Sequence, residues 1–257
     1  MSATPAIEFR NVSYHLPEGR ALLNDVTLGV ATGTTVALLG KSGSGKTTLL
    51  RTVNRMHGVS SGDVLVRGHS IFEQEVIALR RSIGYVIQET GLFPHFTVER
   101  NIGLVLEIEG KTGAAIAERA RTLLEMVGLD PPEFARRLPH ELSGGQRQRV
   151  GLARALAAGQ DILLMDEPFG ALDPLTRAEM QDVLRRLTLE VHGSGARTSV
   201  LLVTHDLDEA LYLAERVVLI EDGGVAANLP AEQFLSSTVP AVQAYVRAIH
   251  RGVETRS

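Results

Sequence analysis

The 257-residue chain contains no cysteine and no long apolar run. The absence of cysteine excludes disulfides and thiolate metal sites. The lack of apolar runs excludes a membrane-spanning helix, which needs about 20 predominantly apolar residues. Residues 1–6 also lack the basic and apolar regions of a signal peptide. These absences predict a soluble, intracellular protein that is not built around a metal.

A basic surface is lacking as well. The 26 Lys and Arg residues are outnumbered by 30 Asp and Glu residues, which gives a net charge of −4. Because nucleic-acid-binding domains usually carry a basic face, the composition argues against a nucleic-acid partner. The 44% hydrophobic and 22% charged residues are typical of a globular chain with one large domain or two packed ones.

Short apolar runs alternate with helical stretches along most of the chain. This alternation predicts an α/β fold with a parallel sheet and right-handed crossovers. Between about 89 and 160 the pattern becomes helical, which indicates a helical subdomain on the α/β core. The predicted strands are 7–14, 34–39, 64–66, 83–87, 162–165, 200–203 and 217–220, and the predicted core helices are 46–56, 175–191 and 207–214.

The sequence GKSGSGKT at 40–47 matches the phosphate-binding pattern G-x-x-x-x-G-K-[ST]. In this pattern backbone N–H groups and the positive end of the following helix face the phosphates. The lysine reaches the β- and γ-phosphates, and the last hydroxyl ligates Mg²⁺. An apolar run before the loop and a helical stretch after it supply the context that the motif requires. The expected ATP-binding residues are Gly40, Lys41, Ser42, Gly43, Ser44, Gly45, Lys46, Thr47 and Thr48, with Thr47 also on Mg²⁺.

Polar residues end three other predicted strands. Asp166 and Glu167 follow 162–165, His205 follows 200–204, and Gln88 closes 83–87. Because ligands bind at the carboxyl ends of parallel strands, we expect all four side chains beside the phosphates. Asp166 is suited to hold Mg²⁺ and Glu167 to act as the general base on the attacking water. Gln88 would touch Mg²⁺ or that water, and His205 would sense the γ-phosphate.

The sequence LSGGQ at 142–146 opens another predicted helix. Ser143 and the two glycines leave N–H groups free at a helix N-terminus, which makes a second anion site. One chain cannot easily fold both phosphate-binding ends onto one ATP, whereas two chains arranged head to tail can. Standing alone, the pentapeptide would be only a helix cap.

Taken in order across about 7–223, these motifs resemble the nucleotide-binding subunits of ABC transporters. GKSGSGKT is similar to their Walker A, Gln88 to their Q-loop, LSGGQ to their signature, ILLMDE to their Walker B and His205 to their switch histidine. The resemblance implies a P-loop NTPase core with a mixed or parallel sheet, an N-terminal antiparallel β part and a helical signature subdomain. The further nucleotide-binding residues that it implies are Tyr14 on adenine, Asp173 in the D-loop, and Ser143, Gly144, Gly145 and Gln146.

The resemblance also implies a mechanism and partners. Two ATP molecules would lie in a homodimer, each between the Walker A of one subunit and the signature of the other. Closure and reopening would move integral-membrane permease subunits, which places the protein peripherally on the cytoplasmic face of the inner membrane. A solute-binding protein is an indirect partner. Phe93 and Phe96, within 91–97, would dock a permease helix, although both fit core positions equally well.

Two stretches, TVNRM at 52–56 and IGYVIQETGLFPH at 83–95, are similar to ATPase subunits of importers for quaternary amines. The implied solutes are glycine betaine, choline, carnitine or proline, although neither stretch touches the solute. The chain is expected to be one ABC ATPase domain with a core at 1–88 and 161–225, a helical subdomain at 89–160 and a helical tail at 226–257. No paired regulatory domain is expected after this tail.

Other readings remain open. One is an importer for another small solute, such as an amino acid, and another is an export or lipoprotein-releasing ATPase. A non-transport ABC ATPase of DNA repair or chromosome organisation would separate the motifs by a long coiled coil, which is absent here. A plain phosphotransferase or GTPase would leave LSGGQ unexplained.

Overall fold

The computed structural model of the chain describes residues 4–87, 91–189 and 197–254. Its elements in chain order are β1 (Ile7–His15), β2 (Ala21–Val30), β3 (Thr35–Leu39), α1 (Lys46–Val53), β4 (Ser61–Val66), β5 (His69–Ser70), α2 (Val76–Arg81), β6 (Gly84–Val86), α3 (Val98–Ile108), α4 (Gly113–Met126), α5 (Pro131–Phe134), the 3₁₀ helix η1 (Pro139–Glu141), α6 (Gly144–Ala155), β7 (Ile162–Asp166), α7 (Pro174–Leu189), β8 (Ser199–Val203), α8 (Leu207–Leu213), β9 (Arg216–Glu221), β10 (Gly224–Pro230), α9 (Ala231–Phe234) and α10 (Pro240–Glu254). Within these ranges, no helix has the length and apolar character needed to cross a membrane.

The chain divides into two compact units. The first comprises residues 1–74 and 201–257, and the second comprises residues 75–200. This division does not follow the boundaries drawn from the motifs, which remain a prediction. Residues 226–230, assigned from sequence to a helical tail, belong to strand β10.

The first unit contains an antiparallel sheet with the strand order β2-β1-β4-β5. Ile7 of β1 lies opposite Val30 of β2 and Val66 of β4, and all three side chains are buried. Buried and exposed residues alternate along the second half of β2, as expected for a sheet with one face towards the core. This sheet is the antiparallel β part that the family resemblance implied.

Parallel strands make up the centre of each unit. In the first unit β3 runs parallel to β9, with Leu39 opposite Leu219, and β10 is antiparallel to β9. In the second unit β6 runs parallel to β7, with Gly84 opposite Leu163. Every residue of β3, β7 and β8 is buried, which explains why these strands read as unbroken apolar runs. The α/β class predicted from the sequence is confirmed.

Helix α1 is shorter than the predicted 46–56. It ends at Val53 because Arg55 adopts a left-handed conformation, with φ of 54°. The side chain of Arg55 stabilises this turn by donating to the carbonyl oxygens of Ile71 at 3.2 Å and Gln74 at 3.1 Å. The sequence predicted a longer helix because 46–56 contains no Gly or Pro. The actual helix end depends on contacts of Arg55 with residues 16 and 19 positions further along the chain.

The C-terminal helix α10 lies within 226–257, the segment that the sequence analysis expected to be a helical tail. Val242 and Tyr245 on this helix are buried in a hydrophobic cluster with Leu39 of β3, Leu207 of α8 and Phe234 of α9. Burial of an apolar side chain of this size contributes about 1.5–3 kcal/mol, so α10 is an integral layer of the first unit.

Candidate functional site

Residues 40–45 form the turn between β3 and α1, and Lys46 and Thr47 begin α1, in the first unit. Gly40 has φ of +150°, and a Cβ there would lie 2.3 Å from the carbonyl oxygen of Ile220. Gly45 has φ of +102°, and a Cβ there would lie 2.5 Å from the carbonyl oxygen of Leu22. Both positions combine a backbone conformation unfavourable for L side chains with a close backbone neighbour. The fold therefore requires glycine at both ends of the loop.

Lys46 and Ser44 are buried within this loop. The Lys46 Nζ donates to the carbonyl oxygens of Gly40 and Lys41, each at 2.8 Å, and the residue is only 5% exposed. The Ser44 Oγ is buried and makes no hydrogen bond within the part of the chain that the structure describes. A buried hydroxyl without a partner costs about 1–3 kcal/mol. A phosphate oxygen at this place would accept from Ser44 and face the buried ammonium, so the loop fits a phosphate group.

A cavity of about 360 Å³ opens at the loop. A Cβ added at Gly43 would meet nothing within 4 Å, so this side of the loop is open. The β9–β10 turn forms the other wall, and the N–H of Gly223 in this turn donates to the Ser44 carbonyl oxygen at 3.2 Å. The lining residues are Lys41, Ser42, Gly43, Ser44, Ile220, Glu221 and Asp222. Sequence reasoning missed this wall, although the turn-forming Asp-Gly pair after a strand was a signal for it.

Tyr14, Thr47, Thr48 and His205 also belong to the first unit. Tyr14 is half-buried on β1, with its ring centroid 5.8 Å from that of His57. Thr47 and Thr48 are half-buried in the first turn of α1. His205 follows β8 and is exposed.

Asp166 and Glu167 lie at the carboxyl end of β7, in the second unit. Asp166 is 4% exposed and Glu167 is half-buried. Glu167 has φ of 46°, and a left-handed conformation of a residue other than glycine costs about 1–3 kcal/mol and is typical of functional sites. The amide side chain of Gln148, on α6, donates to the Pro168 carbonyl oxygen and so holds the segment that follows Glu167.

Oxygen ligands of the kind that Mg²⁺ prefers are available at Thr47 and Asp166. The described residues contain no group of three or more His, Asp or Glu side chains that could hold a metal. Mg²⁺ typically binds through one or two protein oxygens together with nucleotide phosphates and water, so the Thr47 hydroxyl of the first unit and the Asp166 carboxylate of the second unit each suit one such ligand position.

The LSGGQ segment begins helix α6 in the second unit. The Ser143 Oγ accepts from the Gln146 N–H at 3.2 Å, and the Gln146 Oε1 accepts from the Ser143 N–H at 2.9 Å. This reciprocal capping box fixes the helix start. Ser143 and Gly144 are exposed, whereas Gly145 is buried, and a Cβ on Gly145 would lie 2.2 Å from the Thr176 Cγ2. The predicted helix N-terminus is thus present, with an outward-facing residue at Gly144.

Asp173 precedes helix α7 in the second unit. Its carboxylate accepts from the Thr176 N–H at 3.1 Å, and hydrogen bonds from the Thr176 side chain and backbone lower the pKa of Asp173. Gln88, the predicted Q-loop residue, lies outside the described residues.

Phe93 and Phe96 pack against each other, with ring centroids 5.3 Å apart. Phe93 is 47% exposed and Phe96 is half-buried beneath the Arg100 guanidinium, so Phe93 is not a core residue. The fully buried Asn101 fixes this turn: its Oδ1 accepts from the Phe93 N–H at 2.7 Å and its Nδ2 donates to the Phe96 carbonyl oxygen at 3.0 Å. Sequence reasoning missed Asn101, because a helical asparagine has no pattern that marks it.

Comparisons with known proteins agree with this set of features. The ABC transporter family model matches residues 23–170. The chain is 44% identical over 241 residues to the choline transport ATP-binding protein OpuBA of Bacillus subtilis, covering 91% of this chain and 62% of OpuBA. It is 46% identical over 219 residues to the glycine betaine uptake system ATP-binding protein YehX of Escherichia coli, covering 85% of this chain and 69% of YehX. The chain therefore spans less than two thirds of the length of OpuBA.

A solved structure shows the same fold. The ATP-binding cassette MJ0796, in a dimeric post-hydrolysis state bound to ADP and Pi, superposes with a TM-score of 0.77 at 32% identity. The match covers 88% of this chain and 98% of that one. Since the family model spans more than half of the chain and YehX is matched over more than two thirds of its length, the chain belongs to the ABC transporter family.

Proposed function

We propose that the chain is the ATP-hydrolysing subunit of an ABC importer for osmoprotectants, either quaternary amines such as glycine betaine, choline and carnitine or the secondary amine proline. The observation that carries the nucleotide part is the loop at 40–47, with its buried Lys46 ammonium and the Ser44 hydroxyl that lacks a partner within the described residues. The solute class is supported by the identity to OpuBA and YehX, a choline and a glycine betaine transport protein.

In this proposal the loop holds the phosphates of ATP and Tyr14 stacks on adenine. Lys46 neutralises charge on the β- and γ-phosphates. Thr47, Asp166 and Gln88 would hold Mg²⁺, which would supply positive charge against the phosphate oxygens. Glu167 takes a proton from the attacking water, and His205 donates a hydrogen bond to the γ-phosphate.

The exposed start of α6 contacts the ATP held by a second copy of the chain, together with Asp173. Support comes from the capped, outward-facing N-terminus, which is suited to an anion, and from the dimeric state of the MJ0796 cassette. ATP then stabilises only the closed dimer, and this differential affinity drives the conformational change. Permease subunits would transmit the change and hold the protein at the cytoplasmic face of the membrane.

The nucleotide assignment is tested by Lys46→Ala with Lys111→Ala as the matched control, since Lys111 is an exposed lysine remote in sequence from the loop. We expect Lys46→Ala to weaken Mg-ATP binding in calorimetry by about 10²-fold or more, the effect of losing charge-assisted hydrogen bonds. Lys111→Ala should bind as the parent protein does. Unchanged binding by Lys46→Ala would contradict the assignment of the loop.

The hydrolytic mechanism is tested by Glu167→Gln, with the exposed Glu109→Gln as control. Loss of a general base should reduce hydrolysis by about 10²–10⁴-fold while ATP binding remains. The variant should then run as a dimer on gel filtration in Mg-ATP and as a monomer without it. Normal hydrolysis by Glu167→Gln would remove this residue from the base role.

The solute is tested in proteoliposomes with candidate permease and binding proteins, which are to be sought among the products of the neighbouring genes. Choline, glycine betaine, carnitine or proline should stimulate ATP hydrolysis, whereas an amino acid other than proline should not. Stimulation only by an amino acid other than proline would keep the importer assignment and overturn the proposed solute class. ATP hydrolysis that is not coupled to solute transport in any reconstituted complex would favour a non-transport ATPase.

A further inference from the structure

We propose that Tyr245, on the C-terminal helix α10, is a positioning residue that fixes the backbone of the His205 loop. This inference rests on the proposed function, because it assigns His205 to the γ-phosphate. The phenol hydroxyl of Tyr245 donates to the His205 carbonyl oxygen at 3.4 Å, across 40 residues of sequence. All the groups involved belong to the first unit.

The other hydrogen bonds of this loop act on the residues next to His205. The Thr204 N–H donates to the Leu38 carbonyl oxygen at 3.2 Å, which joins the end of β8 to β3. The Asp206 N–H donates to the Thr204 Oγ1 at 3.0 Å, and the Asp206 carboxylate caps α8. Tyr245 adds a contact on the carbonyl of His205 itself. It is therefore placed to set the peptide plane from which the exposed imidazole projects.

The hydroxyl is also close to the first residue of the phosphate loop. Burial raises the pKa of Tyr245, and the charge of Asp206 raises it as well, whereas a hydrogen bond from the Gly40 backbone N–H lowers it. The phenol group therefore lies near Gly40 as well as against the His205 carbonyl oxygen. One rigid aromatic side chain contacts both segments that are expected to hold the γ-phosphate.

Packing keeps the ring in this place. Tyr245 is 9% exposed and lies in a cluster with Leu39, the residue before Gly40, and Leu207, two residues after His205. The cluster holds the aromatic ring whether or not the hydroxyl is present. Tyr245→Phe therefore removes the polar contact and retains the packing, which makes it a clean perturbation.

In the full chain we expect Tyr245→Phe to lower kcat for ATP hydrolysis by about three- to tenfold, the range expected from one hydrogen bond. The dissociation constant for Mg-ATP should change less than kcat does, because Lys46 keeps its contacts and only the Gly40 N–H of the loop loses a partner. The matched control is Tyr212→Phe, which removes a hydroxyl from an exposed ring on α8 and should retain the parent kcat. A structural defect would instead lower kcat and affinity together.

A double-mutant cycle with His205→Ala separates positioning from an independent effect. If Tyr245 acts through His205, adding Tyr245→Phe to His205→Ala causes no further loss of kcat. A kcat for Tyr245→Phe equal to that of the parent, or a full additional loss in the His205→Ala background, would overturn the inference.

Hydrogen exchange gives a readout that does not depend on hydrolysis. Amides in a peptide covering 203–207 should exchange several-fold faster in Tyr245→Phe than in the parent or in Tyr212→Phe, because the loop has lost a contact. Equal exchange would overturn the inference even in a protein that hydrolyses no ATP. Absence of hydrolysis in the parent protein would instead overturn the proposed function, so the two failures are distinguishable.

Discussion

Adding a single methyl group at Gly144 separates the folding role of the signature from its proposed role in the dimer. Gly144 is the first residue of α6 after the Ser143 cap, and a Cβ built there meets nothing within 4 Å. Gly113 is its structural match: it is the first residue of α4 after the Thr112 cap, and it too has nothing within 4 Å. Each substitution by alanine therefore leaves the isolated fold without a clash.

The expected effect on stability is the same at both sites. Replacing a helical glycine by alanine where the backbone accepts it stabilises a protein by about 0.4–1 kcal/mol. For a chain of this size each kcal/mol raises the melting temperature by about 2–4 °C. Gly144→Ala and Gly113→Ala should therefore each raise the melting temperature by about 1–4 °C in the absence of nucleotide.

The effect on hydrolysis should differ between the two variants. In the proposed dimer the backbone at Gly144 approaches the phosphates of the ATP bound to the second copy, and a methyl group occupies that space. A displacement of about 1 Å at a reacting centre can cost about 10²-fold in rate, so we expect a loss of this order for Gly144→Ala. Gly113→Ala should hydrolyse ATP at the parent rate.

The assay measures steady-state hydrolysis at saturating Mg-ATP over a series of protein concentrations, because only the dimer is active in the proposal. Gel filtration in the Glu167→Gln background supplies the second measurement, where Gly144→Ala should abolish the ATP-trapped dimer. Normal hydrolysis and a normal dimer in Gly144→Ala would refute the placement of the signature against nucleotide. An equal loss in Gly113→Ala would attribute the effect to the helical region in general.

Three further perturbations follow from contacts in the second unit. Gly145→Ala should destabilise the chain by about 1–3 kcal/mol in thermal unfolding through overlap with Thr176, and Thr176→Ser should restore part of the loss; a parental melting temperature in Gly145→Ala would contradict this packing. Asp173→Ala should lower the melting temperature at neutral pH. The lowered pKa of Asp173 means that its carboxylate stabilises the folded chain at pH values above the ordinary carboxyl pKa, and this stabilisation is lost as the pH falls through the lowered pKa. A difference in melting temperature from the parent that persists in acid would exclude this cause. Phe93→Ala should uncouple solute-stimulated hydrolysis in the reconstituted complex yet leave the isolated subunit as active as the parent, whereas unaltered coupling would remove Phe93 from the docking surface.

The central strands could be predicted because burial on both faces leaves continuous apolar runs. Strand β7, predicted as 162–165, ends at Asp166, and β8, predicted as 200–203, begins one residue earlier at Ser199. Strand β2 was missed, although Val26, Leu28 and Val30 alternate with exposed residues. In an antiparallel sheet with one buried face, apolar and polar residues alternate along each strand. The Asn-Asp pair and the glycine of β2 obscure this alternation in the sequence.

The site residues could be predicted for a different reason, namely that phosphate chemistry restricts residue types. The loop at 40–47 needs glycine where the backbone is left-handed or crowded, as at Gly40 and Gly45, so its pattern is visible in the sequence. Asn101 and Tyr245 act through hydrogen bonds to backbone atoms, and many residue types would satisfy the local helix. No local pattern therefore reveals them, and their roles depend on long-range contacts.

Contacts within the second unit show how separate motifs can act together. The start of α6 leaves no space between Gly145 and Thr176, and the Thr176 N–H binds the Asp173 carboxylate. Further along α6, Gln148 donates to the Pro168 carbonyl oxygen, directly after Glu167. Because a packed contact without free volume transmits displacement, we expect a shift of α6 to act on its contacts at Pro168 and Thr176. Contact of the signature with a second nucleotide would thereby reach the residue proposed to activate water, through Gln148 and without any change in secondary structure.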